Sequence, residues 1–537
     1  MEQIWTKNGA LLSNVELIKL DKDGLEVIKD IDRYGRLGFS AITPDDIERL
    51  KWLGLYQQSP KNEGYFMMRI KLPGGVLTST QLRTVTRISK EYGQGIVDIT
   101  TRQALQFHWL RVESFPDIFS RLKEVGLSTV GAAGDCPRNV LGHPLAGMDA
   151  DEVIDTSSLI QSVNRYFEKN PEFSNLPRKF KISISGSRYN TGHAEINDVA
   201  LTPASKEING TTVIGFHAVV GGGLSRAPQL AQPIDAFILP EEVIKVLAGV
   251  ASIFRDHGYR EKRTHARLKF LVADWGIQKF TAELLKLTGP LLTRGMDLTA
   301  GWNGGYFYGV HKQKQPGLNY IGLPVTGGRC TAEDMEELAN LADQYGDGNL
   351  RTSNTQNLIL ANIADEKVTA LLGENLLQRF NPFEKSFSAY MIACVGKEFC
   401  PFGLSQTKAH IKDLSDYLDQ HLCLDQPVRI ALSGCPHSCA QPQIADIGLQ
   451  GTAAKVGIEA FELWIGGSLD VSEGLGSKLQ GTISANDLPS LLESLIGLYA
   501  KNKEATETFS AFVKRAGLQD FQKALDKFSL QTENIRA

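Results

Sequence analysis

The chain is written twice, and this constrains its fold more than any other feature of the sequence. A shift of 253 positions superposes Gly74-Gly75 on Gly327-Gly328, Tyr92-Gly93 on Tyr345-Gly346, Gly95 on Gly348, Gln103 on Gln356 and Leu105 on Leu358, without a gap. A second pair of segments repeats at a shift of 248, where Ile182-Ser183-Ile184-Ser185-Gly186 matches Ile430-Ala431-Leu432-Ser433-Gly434. At the same shift Ile196, Asp198, Val199 and Leu201 match Ile444, Asp446, Ile447 and Leu449, and after a small length difference Val220-Gly221-Gly222 corresponds to Ile465-Gly466-Gly467. Two units therefore recur in the order A-B-A-B. Each A unit reads as strand, helix, strand: residues 65–72 alternate, 80–90 have helical spacing, and Tyr92-Gly93 closes the helix before 97–105. That is half of a split βαβ sandwich. Duplication predicts pseudo-twofold packing with a shared cleft where ligands lodge, and it leaves one copy free to carry special residues.

The second copy carries them. Four of the seven cysteines crowd into Cys394-Val395-Gly396-Lys397-Glu398-Phe399-Cys400 and Cys435-Pro436-His437-Ser438-Cys439. Seven cysteines are too sparse for a disulfide scaffold in a chain of 537 residues, so the clustering points to a metal site. Soft thiolates suit iron, and four of them cap the corners of a 4Fe-4S cluster. Structural zinc sites compete, but their cysteine pairs are separated by two to four residues, and the five between Cys394 and Cys400 fit them less well. Cys136, Cys330 and Cys423 read as small buried hydrophobes. His108 and His437 read as hydrogen-bonded or surface residues and not as metal ligands.

The string from Ala393 to Gly403, with the Ser433–Gly451 segment, resembles the signature of the sirohaem-dependent sulfite and nitrite reductases, and the resemblance runs over nearly the whole chain. It implies an α+β fold, internally duplicated, in which ferredoxin-like half-units and sirohaem-binding units are related by a pseudo-twofold axis. The corresponding division is an N-terminal region 1–155 with a first half-unit at about 60–125, a first sirohaem-binding unit 156–305, a second half-unit 306–385, and a cluster-bearing unit 386–537. By motif position Cys394, Cys400, Cys435 and Cys439 would hold the 4Fe-4S cluster, and Cys439 would also bridge to the sirohaem iron. The family's anion pocket falls on Arg69, Arg138, Lys179 and Lys181, and a position near the macrocycle falls on Arg102.

Alternation supports the pocket assignment in part. It puts Phe66, Met68, Ile70 and Leu72 on one strand face with Arg69 and Lys71 on the other, and it sets Lys179 and Lys181 on one face of their strand. The run from Arg260 to Lys269 reads as carboxylate ligands, a donor dock or a plain charged helix face. Lys179-Phe180-Lys181 and Gly134–Arg138 resemble the sulfite branch, whereas His193–Asp198 resembles the nitrite branch. The expected activity is six-electron reduction of sulfite. Nitrite is the alternative, and an iron–sulfur protein without catalysis is a further one. No dinucleotide fingerprint supplies electrons, so the resemblance implies ferredoxin, or a similar small acidic protein, as donor. A net charge of −4 offers no surplus for nucleic acid, and no apolar stretch approaches membrane length. Residues Met1 to Lys7 lack a secretory pattern, so a cytoplasmic location is expected.

Overall fold

The computed structural model describes residues 12–383, 386–453, 458–470 and 474–534. The Met1–Lys7 reading lies outside them. Their architecture is α+β, built on four sheets. No helix among them is long and apolar enough to cross a membrane.

The A units fold first as matching helices. Thr78 accepts from the Gln81 backbone at 3.2 Å while the Gln81 side chain accepts from the Thr78 backbone at 3.0 Å, a reciprocal cap that starts the helix Ser79–Tyr92. Thr331 and Asp334 repeat it for Ala332–Tyr345. Leu82, Val85 and Ile88 of one helix and Met335, Leu338 and Leu341 of the other project into a single core. Truncating one of these side chains to alanine removes about 2 to 5 kcal/mol.

The sheets show why there is one core. The first runs Leu55–Gln57, Phe66–Ile70, Leu105–Leu110, Ile96–Ile99, Arg329–Thr331, and the second Gly309–Lys312, Leu318–Leu323, Leu358–Ala364, Asn349–Thr352, Val76–Thr78. The last strand of each comes from the other half: Cys330 lies opposite Val97, and Leu77 opposite Leu350. The expected strand over 97–105 is two strands, because Gln103 turns the chain in the left-handed region at φ 56°. Its Nε2 donates to Thr352 O and Gly142 O, both at 3.2 Å, and Oε1 accepts from Gly142 N at 3.0 Å. Gln356, at φ 65°, does the same with Ile99 O, Ala393 O and Ala393 N. The glycine pairs fit beside these amides. A Cβ on Gly75 would stand 2.2 Å from Thr352 O, and one on Gly328 2.8 Å from Ile99 O.

Each B unit has its own mixed sheet and core. Leu141–Gly142, Ile182–Ile184 and Val199–Ile208 run parallel, as do Met391–Ala393, Ile430–Ser433 and Ile447–Thr452. Ile182, Phe216, Leu247 and Phe254 fill one core; Ile430, Leu463, Leu492 and Phe512 fill the other. The halves meet where His193 Nδ1 lies 3.0 Å from Gln441 Oε1, two residues in equivalent positions and both left-handed.

Candidate active site

The four cysteines sit on two loops at the ends of parallel strands. Cys394 follows Met391–Ala393, and Cys435 and Cys439 follow Ile430–Ser433. Backbone amides face them: Gly434 N donates to Cys394 Sγ at 3.2 Å. Burial raises the Cys394 thiol to about 11 and the Cys435 thiol to about 12, and Cys439 adds to the rise in both, as it does at Cys400. The four sulfurs thus converge closely enough for each thiolate to oppose the next, which a positively charged iron core relieves. Among the described residues no three His, Cys, Asp or Glu side chains are gathered tightly enough for one ion.

Cys439 is the exposed member, and it turns toward the other half of the chain. Thr101 Oγ1 donates to its carbonyl at 2.9 Å. Its sulfur is close enough to influence Arg69, Lys179 and Lys181. Arg69 and Arg138 donate to one acceptor, Ala132 O, at 3.2 and 3.3 Å. Arg138 also grips Gly134 O through Nε and Nη2. Lys179 and Lys181 flank Phe180, which is buried in the core while its backbone exchanges hydrogen bonds with Cys136 O and Arg138 N. The alternation read from sequence therefore holds at this strand. It holds less well at the first: Lys71 leaves the pocket to meet Glu168 at 3.4 Å.

Burial and crowding leave these cations under charge stress. Burial, then Lys181 and Arg267, hold the Lys179 ammonium well below its usual range. Burial, then Arg102 and Arg267, bring Lys181 to about 7. Burial and Arg138 take Arg102 to about 9. Among the described residues none of Arg69, Arg102, Arg138, Lys179 and Lys181 has a carboxylate within ion-pair distance. Arg69 Nε and Arg102 Nε are buried without an acceptor. So much uncompensated positive charge requires anions from outside the chain, and the carboxylates of sirohaem with a substrate oxyanion meet that need.

Several supports were not legible as such. Asp198 accepts from Lys181 N at 2.8 Å and pairs with Arg267, while Asp446 holds Arg429 in the equivalent way. Both aspartates belong to the repeat, which was the available signal. Tyr56 is a second omission; burial pushes its phenol up, but Arg138 and Arg69 pull it net below the ordinary value. The run 260–269 is not a helix face. Arg260 pairs with Glu16 at 2.8 Å, Arg263 with Asp135, Arg267 with Asp198, and Lys269 reaches Leu224 O at 3.0 Å. Cys136 and Cys330 are buried as expected, but Cys423 is exposed on the turn after Lys408–His421. His108 lies buried on Asp98 at 2.9 Å, and His437 Nδ1 stands 3.3 Å from Cys435 Sγ.

The chain matches the family model for the nitrite and sulphite reductase 4Fe-4S domain over residues 133–290 and 388–531. It matches the nitrite/sulfite reductase ferredoxin-like half domain over 57–125 and 311–375. A ferredoxin–nitrite reductase of Synechococcus elongatus is 41% identical over 498 residues, covering 90% of this chain and 96% of that one. A ferredoxin sulfite reductase of Mycobacterium tuberculosis is 36% identical over 550 residues, covering 95% and 96%. The solved structure of the Mycobacterium tuberculosis NirA protein superposes with a TM-score of 0.89 at 35% identity, covering 95% of this chain and 97% of that one. The chain belongs to the ferredoxin-dependent nitrite and sulfite reductase family, oxidoreductases that work with sirohaem and a 4Fe-4S cluster.

Proposed function

We propose that the chain reduces sulfite to sulfide with six electrons drawn from ferredoxin, or from a similar small acidic protein. Arg69, Arg138, Lys179 and Lys181 hold the oxyanion in this reading, Arg102 supports the macrocycle, and Cys394, Cys400, Cys435 and Cys439 hold the cluster. The observation that carries it is the set of cations, Arg138 buried and Arg69, Lys179 and Lys181 half-buried, with no carboxylate in ion-pair distance among the described residues. A second lysine at Lys181 suits a dianion better than a monoanion.

Bound sirohaem supplies an iron for substrate and, with the cluster, a store of electrons. The guanidinium groups of Arg69 and Arg138, steered by Ala132 O, present fixed donors to the oxygens that become negative as bonds to them weaken. Lys181, whose ammonium is brought to about 7, gives up a proton from Nζ near neutral pH with little driving force lost. By its motif position Cys439 would hold the cluster beside the sirohaem, and its sulfur lies near enough to Arg69, Lys179 and Lys181 of the opposite half to act on their charge. Replacing Cys400 by serine is expected to remove the cluster's visible absorption.

Nitrite is the second reading, favoured by the likeness to the ferredoxin–nitrite reductase of Synechococcus elongatus. Turnover with chemically reduced ferredoxin, measured separately on each anion, decides between them. A larger kcat/KM on nitrite overturns the sulfite assignment.

A further inference from the structure

The duplication gives the cluster side of the molecule a twin, and the twin has the charges rearranged. On the cluster side Asp98 is buried among Lys408 at 3.2 Å, Arg329 at 2.9 Å and His108 at 2.9 Å. At the offset of 253 residues Arg351 stands in the place of Asp98, Val76 in that of Arg329 and Ala361 in that of His108. The segment after Gly142 aligns with the one after Ala393 at 251, since both residues give their N–H to equivalent glutamines. That offset puts His143 and Asp149 where Cys394 and Cys400 stand, and Ser157 where Lys408 stands. Packing agrees: Ile160 lies against Gly74 as Ile411 lies against Gly327.

Every group that neutralises Asp98 is thus replaced by a neutral one around Arg351. Arg351 is nevertheless only 9% exposed, its Nη1 donates to Leu350 O at 2.9 Å, and its Nε has no acceptor. It lines a cavity with His143 and Ser157, and no carboxylate is among the lining residues. His143 is 1% exposed and anchored through Nε2 on Asp149 at 2.9 Å, which leaves Nδ1 buried without a partner. The empty space is about 200 Å³ including its mouth. A buried guanidinium without an ion-pair partner is unfavourable by several kcal/mol in general, and here burial lowers it to about 10, with Asp347 opposing the effect from beyond ion-pair distance.

We propose that this cavity is an anion site, taking a monoanion of chloride size held by the Arg351 guanidinium, with His143 and Ser157 as its walls. The site is separate from the reduction pocket and does not rest on the choice between sulfite and nitrite. Its position gives it leverage: Arg351 precedes Thr352, whose Oγ1 donates to Gln103 O at 2.8 Å beside Arg102. Occupancy would brace the exchanged strand and the turn behind the macrocycle.

Crystals of the cofactor-loaded protein soaked in sodium bromide test the proposal by anomalous scattering. One bromide peak beside the Arg351 guanidinium is expected, and water alone at that position overturns it. In parallel, the melting temperature of the loaded protein should be about 2 °C higher in chloride than in gluconate of equal ionic strength, since gluconate is too large for the cavity. Arg351→Met should abolish that difference, and a difference that persists in the variant counts against the site. Should the variant fail to fold, the bromide measurement on the unaltered protein decides alone.

Discussion

At the scale of the residue, Lys181 is half-buried beside Arg102 and Arg267, and desolvation together with these cations brings its ammonium to about 7. Lys181→Asn removes one positive charge and keeps a hydrogen-bonding side chain. The ratio of kcat/KM for sulfite to that for nitrite should fall about tenfold, equivalent to about 1.4 kcal/mol of differential transition-state binding. An unchanged ratio would remove Lys181 from the selectivity argument. His193 gives a second test, of pH. Burial lowers its imidazole to about 4, with Arg429 adding to the effect against the Gln441 hydrogen bond. The unfolded chain takes up this proton near 6.5 and the folded chain only near 4, so unfolding gains a proton in between. Stability from this residue is full above about 6.5 and declines as pH falls toward 4. His193→Gln should therefore lose less stability than the parent between pH 7 and pH 5, by on the order of 2 kcal/mol in denaturant titrations. Equal losses would show that His193 is already charged in the fold. The cysteine cluster was legible because its spacing is local, whereas the pocket cations were named on the family resemblance, with strand alternation in support only at Arg69, Lys179 and Lys181. The partners of Arg260, Arg263 and Arg267 were not, because Glu16, Asp135 and Asp198 lie far away in sequence and meet them only through packing.

At the scale of the element, the loop from Thr129 to Arg138 is the piece that shapes the proposed anion pocket. It presents Ala132 O to both pocket arginines and is fastened from behind by Asp135, which Lys19, Arg263 and Arg178 surround. Burial alone would raise the Asp135 carboxyl, but these three cations hold it well below the usual carboxylate range. Two of them arrive from distant elements, Lys19 from the helix Asn14–Asp21 and Arg263 from the turn after Val243–His257. Asp135→Asn should loosen the loop without touching a cysteine. KM for the anion is expected to rise about tenfold, with a fall in stability of about 3 kcal/mol as the cations lose their counter-charge. The cluster's visible and EPR signatures should stay as they are. A variant with altered cluster spectra and unchanged KM would place Asp135 on the wrong side of the molecule. Sequence periodicity did not find this loop, since a turn made of Gly131, Gly134 and long-range ion pairs has no period to detect; only the string Gly134–Arg138 stood out, through the resemblance.

At the scale of the whole molecule, the repeat correctly announced two halves but not how they are joined. The offset of 253 marks equivalent segments, and nothing in it reveals that the third strand of each half-unit leaves to complete the other sheet. Hydrogen-bond accounting makes the consequence sharp. Without Val76–Thr78 the strand Asn349–Thr352 becomes an open edge, and without Arg329–Thr331 so does Ile96–Ile99. Each half would also expose its share of a core in which Leu82, Val85 and Ile88 face Met335, Leu338 and Leu341. The halves are therefore parts of one folding unit even though the B units have separate cores. Cutting the gene between residues 305 and 306 tests this, because the break falls in the irregular stretch before Gly309–Lys312. Each fragment expressed alone should be insoluble or lack a cooperative melt. Both fragments expressed together should copurify as a one-to-one complex that takes up sirohaem. A soluble, cooperatively melting first half on its own would mean that strand exchange follows folding and does not direct it.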